Sequence, residues 1–187
     1  MELSGDILRA LAFAAAKHRH QRRKDRALSP YINHLIDVAN LLWHVGGVRK
    51  RCTLLAGILH DTLEDTDTTR EEILAAFGPE VLAIVEAVTD DKDLSKDARK
   101  QMQVDTAPFK SPEAKQVKLA DKCANVRDIG TAPPEDWSVA RRLDYIDWAQ
   151  RVVAGLRGAN PQLEHYFDHL TEETRADILA QREAPAS

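Results

Sequence analysis

The stretch Leu54 to Thr69, LLAGILHDTLEDTDTT, sets the hardest condition on any fold this chain can adopt. An apolar, helix-forming run ends in His60-Asp61, and Glu64-Asp65 follow at once. Ionisable side chains at the end of so apolar a helix persist when they are paired, hydrogen-bonded or bound to metal. His60 and Asp61 are neighbours, roughly 100° apart on a helix, and where the helix frays both can turn toward one cation. Glu64 and Asp65 come about one turn later, within reach of a water beside that cation. Taken alone, the same stretch also describes a helix end running into a solvated acidic loop.

The rest of the chain reads as helices. From Ser4 to about Lys17 the apolar residues Ile7, Leu8, Leu11, Ala12 and Ala15 recur at helical spacing. The cationic segment Lys17 to Lys24 and a loop from Asp25 to Pro30 come next. The spacing predicts a second helix over His34 to Val45, stopped by Gly46-Gly47, and a more apolar third over Val48 to His60. Thr69 and Glu72 form a capping-box pattern for a helix to Phe77, and Gly78-Pro79 opens another to Val88. Helices are expected from near Leu94, from Ser111-Pro112, and from Asp136 as cap through Ala154, with two short ones from Pro161 and Thr171. No stretch alternates apolar and polar residues as a half-buried strand does. The expectation is an all-α fold in one domain over residues 1–187, with a core over about 4–158 and C-terminal helices over 160–182.

Composition narrows the function classes. A chain of 187 residues with 43% hydrophobic and 30% charged residues can bury a core of ordinary globular type. No apolar run approaches the roughly 20 residues needed to span a bilayer, so no membrane partner is expected. The start, MELSGDILRA, lacks a basic segment before an apolar one, so no signal peptide is expected. Cys52 and Cys123 show no metal-type spacing and point to a reducing, cytoplasmic compartment. A formal net charge of −4 argues against polymeric nucleic acid as partner, yet leaves room for a small anionic ligand at a local basic cluster.

His34, at the start of the second helix, and Asp121, within VKLADKCANV, can join His60 and Asp61. Asp121 falls among Val117, Leu119 and Ala120, an awkward place for an unpartnered carboxylate. Each of these residues alone has an ordinary reading as a cap, a surface group or a salt-bridge partner. Together, two imidazoles and two carboxylates suit a borderline-hard divalent ion such as Mn²⁺ or Fe²⁺, with Zn²⁺ also of that class.

At these residues the chain resembles the HD-domain phosphohydrolases. Within them it is most similar to the hydrolase domain of the RelA/SpoT proteins and to the small stand-alone, Mesh1-like alarmone hydrolases. The matching stretches are RRKD (Arg22 to Asp25), PYINH (Pro30 to His34), LLAGILHDTLEDTDTT, VTDDK (Val88 to Lys92), VKLADKCANVRD (Val117 to Asp128) and RRLDYIDWAQRVVAGLRG (Arg141 to Gly158). The resemblance runs from about Leu11 to Leu163 and implies a single HD-domain helical bundle. It also implies hydrolysis of guanosine tetra- and pentaphosphate (ppGpp and pppGpp) at the 3′ position, giving GDP or GTP and pyrophosphate, with Mn²⁺. The small type is also credited with removing the 2′-phosphate of NADPH, which keeps that substrate as the alternative. A non-catalytic nucleotide-binding module is the third reading, and it leaves Glu64-Asp65 without a use.

By the same resemblance, His34, His60, Asp61 and Asp121 would hold the metal. Glu64 and Asp65 would manage the attacking water and the leaving group, and two like charges so close push one pKa upward. Arg23 and Lys24 match a nucleotide-binding basic pair, while Arg19 and Arg22 read as solvated. Asn125, one turn after Asp121, matches a contact to the nucleotide sugar. Tyr31, Lys96, Arg141 and Tyr145 match positions lining the substrate cleft. The chain departs from the family at Leu28, where a glycine is usual, at Leu35 after His34, where a proline is usual, and at Cys123-Ala124.

Overall fold

The structure is a computed structural model and describes residues 3–183. Helix α1 (Leu3–Lys17) leads through a loop to α2 (Ile32–Asn40), which runs on into one π-helical turn, Leu41–Val45. Then come α3 (Arg51–Leu59), the one-turn α4 (Thr62–Asp65), α5 (Arg70–Phe77), α6 (Pro79–Val88) and α7 (Lys96–Thr106). A 3-10 turn (Ala107–Phe109) joins α7 to α8 (Pro112–Thr131), followed by α9 (Val139–Leu156) and α10 (Pro161–Glu183). Among the described residues there is no strand, only an isolated antiparallel bridge between Arg22 and Pro30. The all-α expectation holds, and no helix of the described residues is long and apolar enough to cross a membrane.

α3 is apolar on every side, and all its residues from Cys52 to Leu59 are buried. A helix of that kind belongs at the centre of a bundle, and α3 packs against α1, α2, α6 and α8. The π-helical turn comes so close that a Cβ on Gly57 would lie 2.5 Å from Leu42 Cδ1. The second axis is α8, whose Val117, Leu119, Ala120, Cys123 and Ala124 are buried under α9 and α10.

Local sequence rules set most boundaries. Thr69 and Glu72 form the expected reciprocal capping box at α5, and Pro79 occupies the first turn of α6. Several boundaries differ from expectation. α2 starts two residues before His34, α3 starts at Arg51 and α7 at Lys96, where the Ser95 side chain accepts the Ala98 N–H. α9 is capped by Ser138, which accepts the Arg141 N–H, and not by Asp136, whose carboxylate instead meets the Arg141 guanidinium at 3.3 Å. The C-terminal segment is one helix, within which the Thr171 hydroxyl donates to the Asp168 carbonyl at 2.8 Å and caps nothing.

The loop between α1 and α2 is pinned along its length. Arg23 N–H donates to the Ser29 carbonyl at 2.8 Å, and Tyr31 N–H to the Gln21 carbonyl at 3.2 Å. The Asp25 carboxylate accepts the Ser29 N–H at 2.9 Å and closes the turn. Leu28, at the tip, adopts φ +49°, a left-handed conformation that favours the glycine usual in the resembled family.

Candidate active site

His60 and Asp61 stand where α3 stops. His60 caps α3, and Asp61 adopts φ −97°, ψ −1° before α4 begins. This break, in the sparsely populated bridge region, brings two adjacent side chains to one point. α2 brings His34 there and α8 brings Asp121, both buried. Asp61 Oδ2 lies 3.0 Å from His60 Nε2 and 3.8 Å from His34 Nε2. Asp121 Oδ1 lies 3.3 Å from His34 Nε2 and 3.8 Å from His60 Nε2. One ligand atom from each of His34, His60 and Asp121 lies within 4.8 Å of the others.

The hydrogen bonds around this cluster turn its ligand atoms inward. His60 Nδ1 is 2.8 Å from the Gly57 carbonyl, which accepts only and so places the hydrogen on Nδ1. His60 Nε2 is then the nitrogen turned toward the carboxylates, buried and without an aligned hydrogen bond, where either a proton or a cation can sit. Burial opposes a charge on His60, but the carboxylates of Asp61 and Asp121 outweigh it and push the group up to about 9. Burial likewise works against ionised Asp61 and Asp121. The His60 charge beside Asp61, and Lys122 beside Asp121, nevertheless hold both carboxyls below the usual range. The Lys122 ammonium lies 3.2 Å from Asp121 Oδ2 and 4.5 Å from the centre of the Trp148 ring. Two buried imidazoles and the buried Asp121, with the partly exposed Asp61 beside them, make a donor set that fits a divalent metal.

A cavity of about 450 Å³ adjoins the cluster, with His34 and Tyr31 in its wall. Arg23, Lys24, Asp65, Asn125, Trp137 and Tyr145 also line it. Arg23 is preset: its guanidinium donates to Asp128 Oδ2 at 2.6 Å and Asn125 Oδ1 at 3.2 Å, and sits 5.6 Å from the Tyr31 ring centre. Asn125 Nδ2 in turn donates to Asp121 Oδ1 at 2.5 Å, joining the basic wall to the buried cluster. Burial keeps the Tyr145 hydroxyl protonated far above its ordinary range.

Glu64 and Asp65 do not face each other as a like-charge pair. Asp65 opens on the cavity of about 450 Å³, whereas Glu64 opens on a second, acidic cavity of about 720 Å³. Glu64 is pushed up by burial, with the charges of Asp90 and Asp61 adding to it, while its Oε2 accepts the Asp90 N–H at 3.0 Å. Asp65 accepts hydrogen bonds on both oxygens, from Lys92 at 2.7 Å and Gln21 at 3.0 Å. Lys96 and Arg141 are exposed and are not among the residues lining the first cavity.

Sequence reasoning missed Asp128, Gln21 and Trp137. Asp128 lies three residues after Asn125 in the same helix, a spacing that places the two on one face. Gln21 and Trp137 sit in connections, where no periodicity marks which side chains turn inward.

A family model described as HD domain matches residues 10–150. A human protein named guanosine-3′,5′-bis(diphosphate) 3′-pyrophosphohydrolase MESH1 is 51% identical over 170 residues, covering 91% of this chain and 95% of that protein. The Drosophila melanogaster protein of the same name is 43% identical over 167 residues, covering 89% and 93%. Among solved structures, a metazoan SpoT orthologue described as hydrolysing ppGpp superposes with a TM-score of 0.87 at 42% identity, over 90% of this chain and 94% of that one. The buried His-Asp cluster lies within the matched region, and the chain belongs to the HD-domain family.

Proposed function

We propose that this chain is a cytoplasmic, Mn²⁺-dependent phosphohydrolase that removes pyrophosphate from the 3′ position of guanosine tetra- and pentaphosphate. The observation that carries the reading is the joining of the His34, His60, Asp61 and Asp121 cluster to a cavity walled by Arg23 and Lys24. The names of relatives sharing 51% of residues over nearly their whole length support the same substrate.

His34, His60, Asp61 and Asp121 would hold the ion. When bound, it supplies Lewis-acid polarisation and acidifies water. In the reaction the water oxygen joins the phosphorus attached to the ribose 3′-oxygen, and that phosphorus–oxygen bond breaks. One water proton ends on the nucleotide 3′-oxygen, giving GDP from the tetraphosphate and GTP from the pentaphosphate. Arg23, fixed by Asp128 and Asn125, presents a flat cation to a purine face or a phosphate. Lys24, exposed at the cavity wall, adds a point charge. Tyr31, kept neutral by burial and by Asp61, donates to Asp61 and holds that carboxylate in place. Glu64, raised by burial, can take up or release a proton closer to neutral pH than an exposed carboxyl, and Asp65 offers an anion to the water.

The test is product identification. Purified protein loaded with Mn²⁺ is incubated separately with guanosine tetraphosphate and with NADPH, and products are separated by anion exchange. GDP and pyrophosphate in equal amounts are expected. Inorganic phosphate from NADPH, with guanosine tetraphosphate untouched, would move the assignment to the 2′-phosphate.

A further inference from the structure

His18 is buried, with 2% of its surface exposed, and has no part in the chemistry described so far. Its ring stacks on Tyr31 with centroids 5.1 Å apart and planes 20° apart. Its Nδ1 lies 2.5 Å from Gln21 Oε1, and Gln21 Nε2 donates to Asp65 Oδ2 at 3.0 Å.

The direction of this chain is forced. An ionised carboxylate only accepts, so Gln21 must present its amide nitrogen to Asp65 and its carbonyl oxygen to His18. His18 Nδ1 must then carry the hydrogen. Nε2 keeps the lone pair, and it is buried without a hydrogen-bond partner among the described residues.

Asp65 needs an external hold. It ends the four-residue α4, and so short a helix fixes little by itself. Its other partner, Lys92, has half of its side chain exposed, and contacts of that kind contribute little. The arm through Gln21 is anchored at its far end on His18, a packed ring only 2% exposed, although the Gln21–Asp65 hydrogen bond itself is exposed.

We propose that His18 is a positioning residue: through Gln21 it fixes the Asp65 carboxylate at the wall of the cavity. This rests on the reading of Asp65 as part of the acid–base machinery. The stack on Tyr31 is a second contact of the same ring, and the two can be separated. In His18→Asn an amide nitrogen stands near the place of Nδ1, keeping the donor without the ring. His18→Phe keeps the ring without the donor.

Positioning through Gln21 predicts that His18→Asn keeps kcat within a few-fold. His18→Phe and Gln21→Leu should each lose about 10–100-fold in kcat, the scale for outer partners of a site, with KM and bound Mn²⁺ unchanged. The reverse order, with Phe active and Asn inactive, would overturn the proposal, as would equal losses accompanied by a changed KM. A measurement on the wild-type protein stands apart from turnover. Nitrogen-15 NMR should find the hydrogen of His18 on Nδ1, and should find that preference lost in Gln21→Leu. Hydrogen on Nε2 would refute the relay whatever the protein hydrolyses. The expected tautomer in a protein that releases no pyrophosphate would strike the proposed function and leave the hydrogen-bond chain intact.

Discussion

The Tyr31 hydroxyl donates to Asp61 Oδ2 across 2.7 Å, with His60 Nε2 3.0 Å away from that same oxygen. A residue of the cavity wall thus sets the orientation of a carboxylate in the buried cluster. Tyr31→Phe removes only this donor and keeps the stack on His18. A hydrogen bond to a charged acceptor contributes about 1.5–3 kcal/mol, and outer partners of a metal commonly change affinity about 10–100-fold. Mn²⁺ titration by calorimetry should show a loss in that range with the fold intact. Unchanged affinity would mean that Asp61 is held by other contacts.

The cluster should make stability and metal binding respond to pH in opposite directions. His60 in the metal-free protein is pushed up to about 9 from an ordinary 6.5. Its extra stability is therefore complete below pH 6.5 and is lost as pH rises through 9. Over the same window the proton that competes with a cation leaves, so Mn²⁺ affinity should rise. Thermal melts of stripped and loaded protein across this range check both signs. A stripped protein that gains stability toward pH 9 would contradict them.

Arg23→Lys keeps the charge but loses the planar guanidinium, which lies near the Tyr31 ring and reaches both Asp128 and Asn125 through the single nitrogen Nη2 while the rest of the plane stays open to a ligand. Catalytic efficiency should fall roughly 10–100-fold, the equivalent of about one charged hydrogen bond, while bound Mn²⁺ stays the same. Equal efficiency in the two proteins would reduce Arg23 to a point charge.

Leu28 at φ +49° sits in a conformation that costs an L-residue about 1–2 kcal/mol. Its side chain is 62% exposed, so little packing is lost on removal. Glycine relieves the strain and gives back part of the gain through a freer unfolded chain. Leu28→Gly should stabilise the protein by about 0.5–1 kcal/mol, read from the urea midpoint. A lowered midpoint would show that Leu28 makes contacts worth more than its strain.

The helices were legible because each carries its own signals. The Thr69–Glu72 box and the Pro79 start follow from hydrogen bonds and dihedrals within a few residues. The single α10 was not legible, since Thr171 can either cap a helix or satisfy its hydroxyl inside one, and packing on α8 decides. His34, His60, Asp61 and Asp121 could be singled out because polar groups among apolar neighbours stand out in one dimension. The different cavities faced by Glu64 and Asp65 could not, because adjacency in sequence says nothing about which side of a one-turn helix opens to which space. The Gln21 link to Asp65 spans 44 positions between a loop and a helix end, a pairing only the folded chain defines.

The most direct test of the account follows one preparation as Mn²⁺ is added to metal-stripped protein. Free Mn²⁺ is read by electron paramagnetic resonance, and GDP and pyrophosphate are read from guanosine tetraphosphate in the same samples. The account predicts that product formation rises in step with one ion bound per chain, and that a folded His60→Ala variant neither binds the ion tightly nor releases product. Hydrolysis by the stripped protein in the presence of chelator, or undiminished Mn²⁺ binding in His60→Ala, would contradict it.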